Sequence, residues 1–194
     1  MTSLITGEVA FFVRHADLEY TDCMGQKKLI VFFGKPGAGK STIIRETFAQ
    51  ERIVDVKDYV LRYRAGDDVP EEKTIDGYRD MYRFVISLKD PVVVLELGTN
   101  HPVYNVEQLK ALGASRVVVI FLCTASVDTL DERLRNRSAR FIGDLARIRE
   151  RLQRPFPNEL IPLLELAGLS YTVLDMEQPW TDNVILINQR LRDA

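Results

Sequence analysis

Cysteine is scarce in this sequence, and neither Cys23 nor Cys123 has partners at metal-ligand spacing. Cys123 closes an apolar run and reads as a small buried hydrophobe. Excess charge of one sign is also missing. The net charge is −2, so nothing draws the whole molecule to nucleic acid or to a membrane, and any anion site must be local. No apolar run approaches the ~18 residues that suggest a membrane span. The first residues lack the basic start and following apolar stretch of a secretory signal, so a cytoplasmic protein is expected. There is no internal repeat and no low-complexity tract. What remains is 194 residues, 46% apolar and 28% charged, the balance of one ordinary globular domain with ample length for a core.

The most informative stretch is LIVFFGKPGAGKST, Leu29 to Thr42. Five apolar residues suited to a strand buried on both faces run into Gly34. The eight residues from Gly34 to Ser41 then spell G-x-x-x-x-G-K-S, and Ile43, Ile44 and Phe48 recur at helical spacing. Glycines allow turns that a Cβ would resist, and the turned N–H groups with the following helix N-terminus hold an anion. Gly34, Lys35, Pro36, Gly37, Ala38, Gly39, Lys40, Ser41 and Thr42 are therefore the candidate triphosphate cradle. Lys40 supplies charge to the β/γ-phosphates and Ser41 a hydroxyl to Mg²⁺.

Downstream, apolar runs alternate with helical patterns. Strands are expected at Arg52 to Val56, Val92 to Leu97, Arg116 to Leu122 and Ser170 to Leu174. Helices are expected at Tyr59 to Arg64 (capped by Asp58), Thr74 to Leu88, Val106 to Leu112, Ala125 to Arg137, Asp144 to Arg154, Glu159 to Ala167, and after Thr181. This order predicts an α/β, three-layer P-loop fold: a five-stranded parallel sheet flanked by helices, with a short lid. Residues 29–194 would form that domain. Residues 1–28 would be an extension, with a possible strand at Glu8 to Arg14 along the sheet edge. Ligands should gather at the carboxyl ends of the strands, where Gly34, Asp58, Glu96 and Thr124 fall.

No Asn-Lys-x-Asp guanine signature occurs, and the third strand ends with the single carboxylate Glu96 rather than adjacent acids, which disfavours a GTPase or a motor ATPase. From Arg133 to Arg154 the chain has eight arginines and no lysine. A solvated basic face accounts for part of this. Guanidinium is also the group suited to bidentate phosphate contact, and such groups stabilise the charge spread over a transferring phosphoryl.

On these residues the chain resembles the P-loop nucleoside monophosphate kinases, with adenylate kinase as the nearest pattern. GKPGAGKST is similar to the family's phosphate loop. DERLRNR, with Arg133 and Arg137, resembles the helix leading into the lid. Arg140, followed eleven residues later by Arg151-Leu152, has the spacing of the lid-exit arginine and the Arg-Leu helix, and LSYTVLDMEQPWTDNV resembles the last strand, loop and helix. The resemblance implies ATP as phosphoryl donor with Mg²⁺ held at Ser41 and Glu96. It makes Lys40, Arg133, Arg137, Arg140 and Arg151 catalytic, and it takes the adenine past Met176 to Pro179. By likeness to the monophosphate side, Asp58, Arg62, Glu96 and Gln108 would place the acceptor. There the sequence departs from the family, with Val56, Lys57, Asn100 and His101 at positions that differ. The expected activity is transfer of the γ-phosphoryl group to a small acceptor, a nucleoside monophosphate first. A kinase of another small metabolite and a non-catalytic ATP-binding regulator stay open as alternatives. The expected partner is a small-molecule phosphate acceptor, with no nucleic acid and no membrane, for a monomer or homodimer.

Overall fold

The computed structural model describes residues 27–66, 69–136, 150 and 152–194. Its centre is β1 (Lys28–Gly34), fully buried beyond its first residue. Around it lie β2 (Arg52–Asp55), β3 (Val92–Leu97), β4 (Val117–Thr124) and β5 (Tyr171–Asp175), in one sheet of order β2-β3-β1-β4-β5. Every pairing is parallel. Seven helices accompany it among the described residues: α1 (Lys40–Thr47), α2 (Val56–Val60), α3 (Glu71–Ser87), α4 (Pro102–Leu112), α5 (Val127–Arg135), α6 (Ile161–Ala167) and α7 (Trp180–Arg192). None is long and apolar enough to cross a membrane.

The period-2 alternation of side chains along each strand divides the core in two. Leu29, Val31, Phe33, Val93, Leu95, Leu97, Ile120 and Leu122 face α2, α3, α4 and α6. Ile30, Phe32, Val94, Val119, Phe121, Cys123 and Leu174 face α1, α5 and α7. Phe32 stacks on Phe121 and meets Phe48 edge-on, which seats α1 on that second face. The same parity sends Glu96, two residues after Val94, to the α1 face. On the other face α2 and α3 cross closely, because a Cβ on Gly77 would lie 2.6 Å from the Cα of Val60. Gly34 pairs with Cys123 across β1 and β4. Cys123 is buried, and burial pushes its thiol up to about 12.

The five strands expected for the sheet are all present. Several helix boundaries differ, for local reasons. Asp58 does not cap α2. Asp55 does, its carboxylate accepting from the Lys57 N–H at 2.9 Å, so the helix starts at Val56, where a strand end was expected. A 3₁₀ turn, Leu61–Tyr63, follows it. Helix α3 starts at Glu71 rather than Thr74, behind Pro70, with Glu71 and Glu72 at its positive end. Helix α4 starts at Pro102 rather than Val106, since proline fits the first helical position. His101 before it takes a left-handed φ of 53°. Helix α6 starts at Ile161, two residues later than expected, and α7 at Trp180, so Thr181 lies inside the helix rather than capping it. The expected strand at Glu8 to Arg14, the lid between Arg137 and Arg140, and most of the helix at Asp144 to Arg154 lie outside the described residues.

Candidate active site

The site is built where β1 ends. Gly37 and Gly39 have φ of 85° and 87°, conformations open to glycine, and they curl the loop back toward α1. The Thr42 and Ile43 N–H groups donate to the Gly39 carbonyl and start α1, whose N-terminus faces the loop. Lys40 is buried, and its ammonium donates to the carbonyls of Gly34 at 2.9 Å and Lys35 at 3.3 Å. That folds the cation across the loop's mouth. Ser41 Oγ donates to Glu96 Oε1 at 2.7 Å, and Lys40 Nζ is 3.8 Å from the same oxygen.

Asp55 stands beside Glu96 in register on the neighbouring strand. Burial raises its carboxyl above the ordinary aspartate value, and the charges of Glu96 and Asp58 add to the rise, while Lys57 N–H and Lys40 oppose it. Ser41, Glu96 and Asp55 thus bring a hydroxyl and two carboxylates to the same end of neighbouring strands. Among the described residues no group of three or more His, Cys, Asp and Glu could enclose a metal. Mg²⁺ does not need one, since it binds through one or two carboxylates together with substrate phosphates. The residues present fit that ion.

On the α1 face, Arg133 donates to the Met176 carbonyl at 2.8 Å. Both side chains reach the loop: a Cβ on Gly39 would lie 3.1 Å from Met176 Cε and 3.9 Å from an Arg133 nitrogen. Glu177 ties this wall down, accepting from Ser126 N at 3.1 Å and Ser126 Oγ at 2.6 Å at the start of α5. These hydrogen bonds lower the Glu177 pKa. The Asn183 side-chain amide holds the Asp175 carbonyl at 2.9 Å from within α7.

A pocket opens on the other face, at the ends of β1 and β3. Phe33, Gly98, Asn100, Arg154, Phe156 and Leu160 line it, so it begins one residue before the phosphate loop. Its wall is braced from the core. Tyr82 Oη donates to Asn105 Oδ1 at 2.9 Å, and Asn105 Nδ2 donates to the Asn100 carbonyl at 2.8 Å. Asn100 Oδ1 in turn accepts from Arg154 at 3.1 Å. No carboxylate among the described residues forms an ion pair with Arg154. Beside this wall, the Thr74 hydroxyl lies 2.7 Å from both the Glu71 carbonyl and His101 Nε2. Its one proton goes to the carbonyl, so the imidazole carries hydrogen on Nε2 and donates to Thr74.

The structure therefore brings Lys40, Ser41, Glu96, Arg133 and the loop glycines together. Pro36, Ala38 and Thr42 complete the loop, and the Lys35 side chain is directed elsewhere, to the carbonyl of Leu152. The expected acceptor residues are more dispersed. Asp58 is exposed on α2, and Arg62 lies over the Tyr59 ring at 4.1 Å. Gln108 is half-buried, six residues into α4 from Pro102. Arg137, Arg140 and Arg151 lie outside the described residues. Sequence reasoning missed Asp55, Asn100 as a pocket wall, Arg154 and Phe156. A carboxylate closing a strand beside Glu96 was a signal for Asp55. Arg154 was counted among the arginines, and nothing local to it marks a pocket.

No protein-family model matches the sequence, and no curated protein matches it. Solved structures do match. A sugar kinase from Janibacter sp. HTCC2649 superposes with a TM-score of 0.57 at 15% identity, over 86% of this chain and 95% of that one. A shikimate kinase from Acinetobacter baumannii, in complex with shikimate, gives 0.55 at 19%, over 87% and 95%. The deoxyadenosine kinase of M. mycoides, with bound dATP, gives 0.51 at 15%, over 84% and 99%. The chain shares its α/β fold with these solved kinases. At these identities the likeness is one of architecture: the parallel sheet, the loop at its centre and the helices on both faces.

Proposed function

We propose that the protein is an ATP-dependent phosphotransferase acting on a small molecule. The observation that carries this is the adjacency of two half-sites. The loop from Gly34 to Ser41 faces the Arg133–Met176 wall on one side of the sheet. The pocket that starts at Phe33 opens on the other. In this reading the backbone of the loop binds the donor's phosphates, and Lys40 neutralises the transferring group. Mg²⁺, when bound at Ser41 and Glu96, would supply further charge neutralisation to the phosphates. Arg133 and Met176 border the base, and Arg137, Arg140 and Arg151 would add guanidiniums as a lid closes and excludes water.

The acceptor is assigned to the pocket. A nucleoside monophosphate is the first candidate, supported by the resemblance of the phosphate loop and of DERLRNR to that kinase family. A second reading, a kinase of another small anionic metabolite, is favoured by the stacking of Arg62 on Tyr59 and by Arg154 as the pocket's arginine. A coupled ADP-release screen decides between them, with AMP, CMP, UMP and GMP in one arm and sugar acids and hydroxy acids in the other. Tight ATP binding without acceptor-dependent turnover in either arm would replace both by a non-catalytic nucleotide-binding role.

A further inference from the structure

Lys35 is the charged residue of the phosphate loop whose side chain this scheme does not use. It is 7% exposed, and its ammonium donates at 2.6 Å to the carbonyl of Leu152. Leu152 and Gln153 are the last helical residues before Arg154 and Pro155. The accepted carbonyl therefore belongs to a final helical turn, where C=O groups lack partners within the helix and partial negative charge favours a cation. Burial lowers the ammonium's pKa, and the nearby Glu159 opposes that shift. A lysine interred at a loop that binds phosphate, yet bonded to a distant carbonyl, is poorly placed for a nucleotide ligand and well placed for a tether.

The tether ends at the pocket. Two residues past the held carbonyl, Arg154 donates to Asn100 Oδ1, and Asn105 fixes the Asn100 backbone. Lys35, Leu152, Arg154 and Asn100 form a continuous bridge from the first residue after Gly34 to the loop between β3 and α4. Phe156 and Leu160 continue the same segment along the pocket.

We propose that Lys35 is a positioning residue for the acceptor: its ammonium anchors Leu152 to Arg154 against the phosphate loop and so sets Arg154 at the pocket. Its role in acceptor binding rests on the phosphotransferase reading above, whereas the anchor itself does not. The experiment has two arms on the full chain. In hydrogen exchange read by mass spectrometry, Lys35→Met speeds exchange in peptides covering residues 152–160 by about tenfold or more, the scale of one charge-assisted hydrogen bond. Lys35→Arg, which keeps a cationic donor, restores protection. ATP affinity by calorimetry falls less than in Lys40→Met, since the Lys35 side chain is turned to Leu152. Lys35→Gln serves as a second uncharged variant should Lys35→Met fold poorly.

In the second arm, with an acceptor from the ADP-release screen, Lys35→Met raises the acceptor KM by about tenfold or more, a larger change than in the ATP KM, and Lys35→Arg reverses it. A general loss of structure would instead lower melting temperature and kcat together. Unchanged exchange at residues 152–160 overturns the anchor. An unchanged acceptor KM, or a loss of ATP affinity as large as that of Lys40→Met, overturns the positioning role. Should no acceptor turn over, the phosphotransferase reading fails and the acceptor role fails with it, while the exchange arm still decides the anchor.

Discussion

Ser41 Oγ and Glu96 Oε1 are hydrogen-bonded at 2.7 Å across 55 residues of sequence, and the Lys40 ammonium approaches the same oxygen at 3.8 Å. One carboxylate oxygen thus orients the hydroxyl and the cation that the phosphate loop needs. The contact exists because strand parity turns Glu96 toward α1, and α1 begins where the loop ends.

Replacing Lys40 tests the chemistry directly. Lys40→Met keeps the length and burial of the side chain and removes its charge. Acceptor-dependent ADP release should be abolished, a loss of about a thousandfold or more, with the melting temperature little changed. Turnover retained in the variant would refute the assigned role.

The two carboxylates at the strand ends separate metal binding from stability. Glu96→Gln and Asp55→Asn should each raise the Mg²⁺ concentration for half-maximal ADP release, by about tenfold. Asparagine caps a helix about as well as aspartate, so Asp55→Asn leaves α2 in place. The folded carboxyl of Asp55 titrates above its unfolded value. Its stabilising contribution is therefore present below the ordinary aspartate range and is lost as pH rises through the elevated value. At neutral pH Asp55→Asn should melt no lower than wild type, which thermal denaturation without metal measures.

Gly77 tests the packing of α2 against α3. An added methyl would meet Val60 Cα at 2.6 Å and Val60 N at 2.8 Å, and backbone atoms have little room to give. Gly77→Ala should destabilise by about 1–3 kcal/mol and lower the melting temperature by roughly 2–4 °C for each kcal/mol. A variant as stable as wild type would mean that the two helices separate at no cost.

His101 gives the fold a dependence on acid. Burial lowers its pKa, and the charges of Arg154 and Arg79 lower it further against the opposing carboxylate of Glu71. Tyr78 covers the ring edge-on at 5.1 Å, and the Thr74 hydroxyl accepts a hydrogen bond from its Nε2–H. The second ring proton, taken up at Nδ1, binds more tightly in the unfolded chain, so the stability is present above the unfolded value of about 6.5 and is lost as pH falls from there through the lowered folded value. Melting curves between pH 7.5 and pH 5 should fall more steeply for wild type than for His101→Gln. Parallel curves would assign the acid sensitivity to other groups.

Much of this arrangement was legible in the chain itself. The run from Leu29 to Phe33, followed by Gly-x-x-x-x-Gly-Lys-Ser, specifies strand, turn and helix locally, so β1, the loop and α1 stand where they were expected. Parity along β3 carried Glu96 to its place, because alternation in a buried strand allows one answer. The helix starts were harder. Asp55 competes with Asp58 for one cap, and Pro70 and Pro102 begin helices whose apolar patterns appear only later. The pocket was the least legible part. Asn105, Asn100 and Arg154 meet only through tertiary contacts, and no spacing in sequence announces that Tyr82 will brace a loop after another strand.

The burial of Cys123 beside Gly34 has a practical consequence. The thiolate is the reactive form of cysteine, and a thiol pushed up to about 12 is almost wholly protonated at neutral pH. An alkylating reagent can then modify this position only when the helices packed over that face of the sheet, α1, α5 and α7, open. The rate of modification at the Cys123 peptide becomes a clock for opening of the sheet face on which α1 and the phosphate loop are seated. Any nucleotide that binds the closed form should slow the clock in proportion to 1 + [L]/Kd. The sheet thus contains its own occupancy gauge, readable before a single acceptor is known.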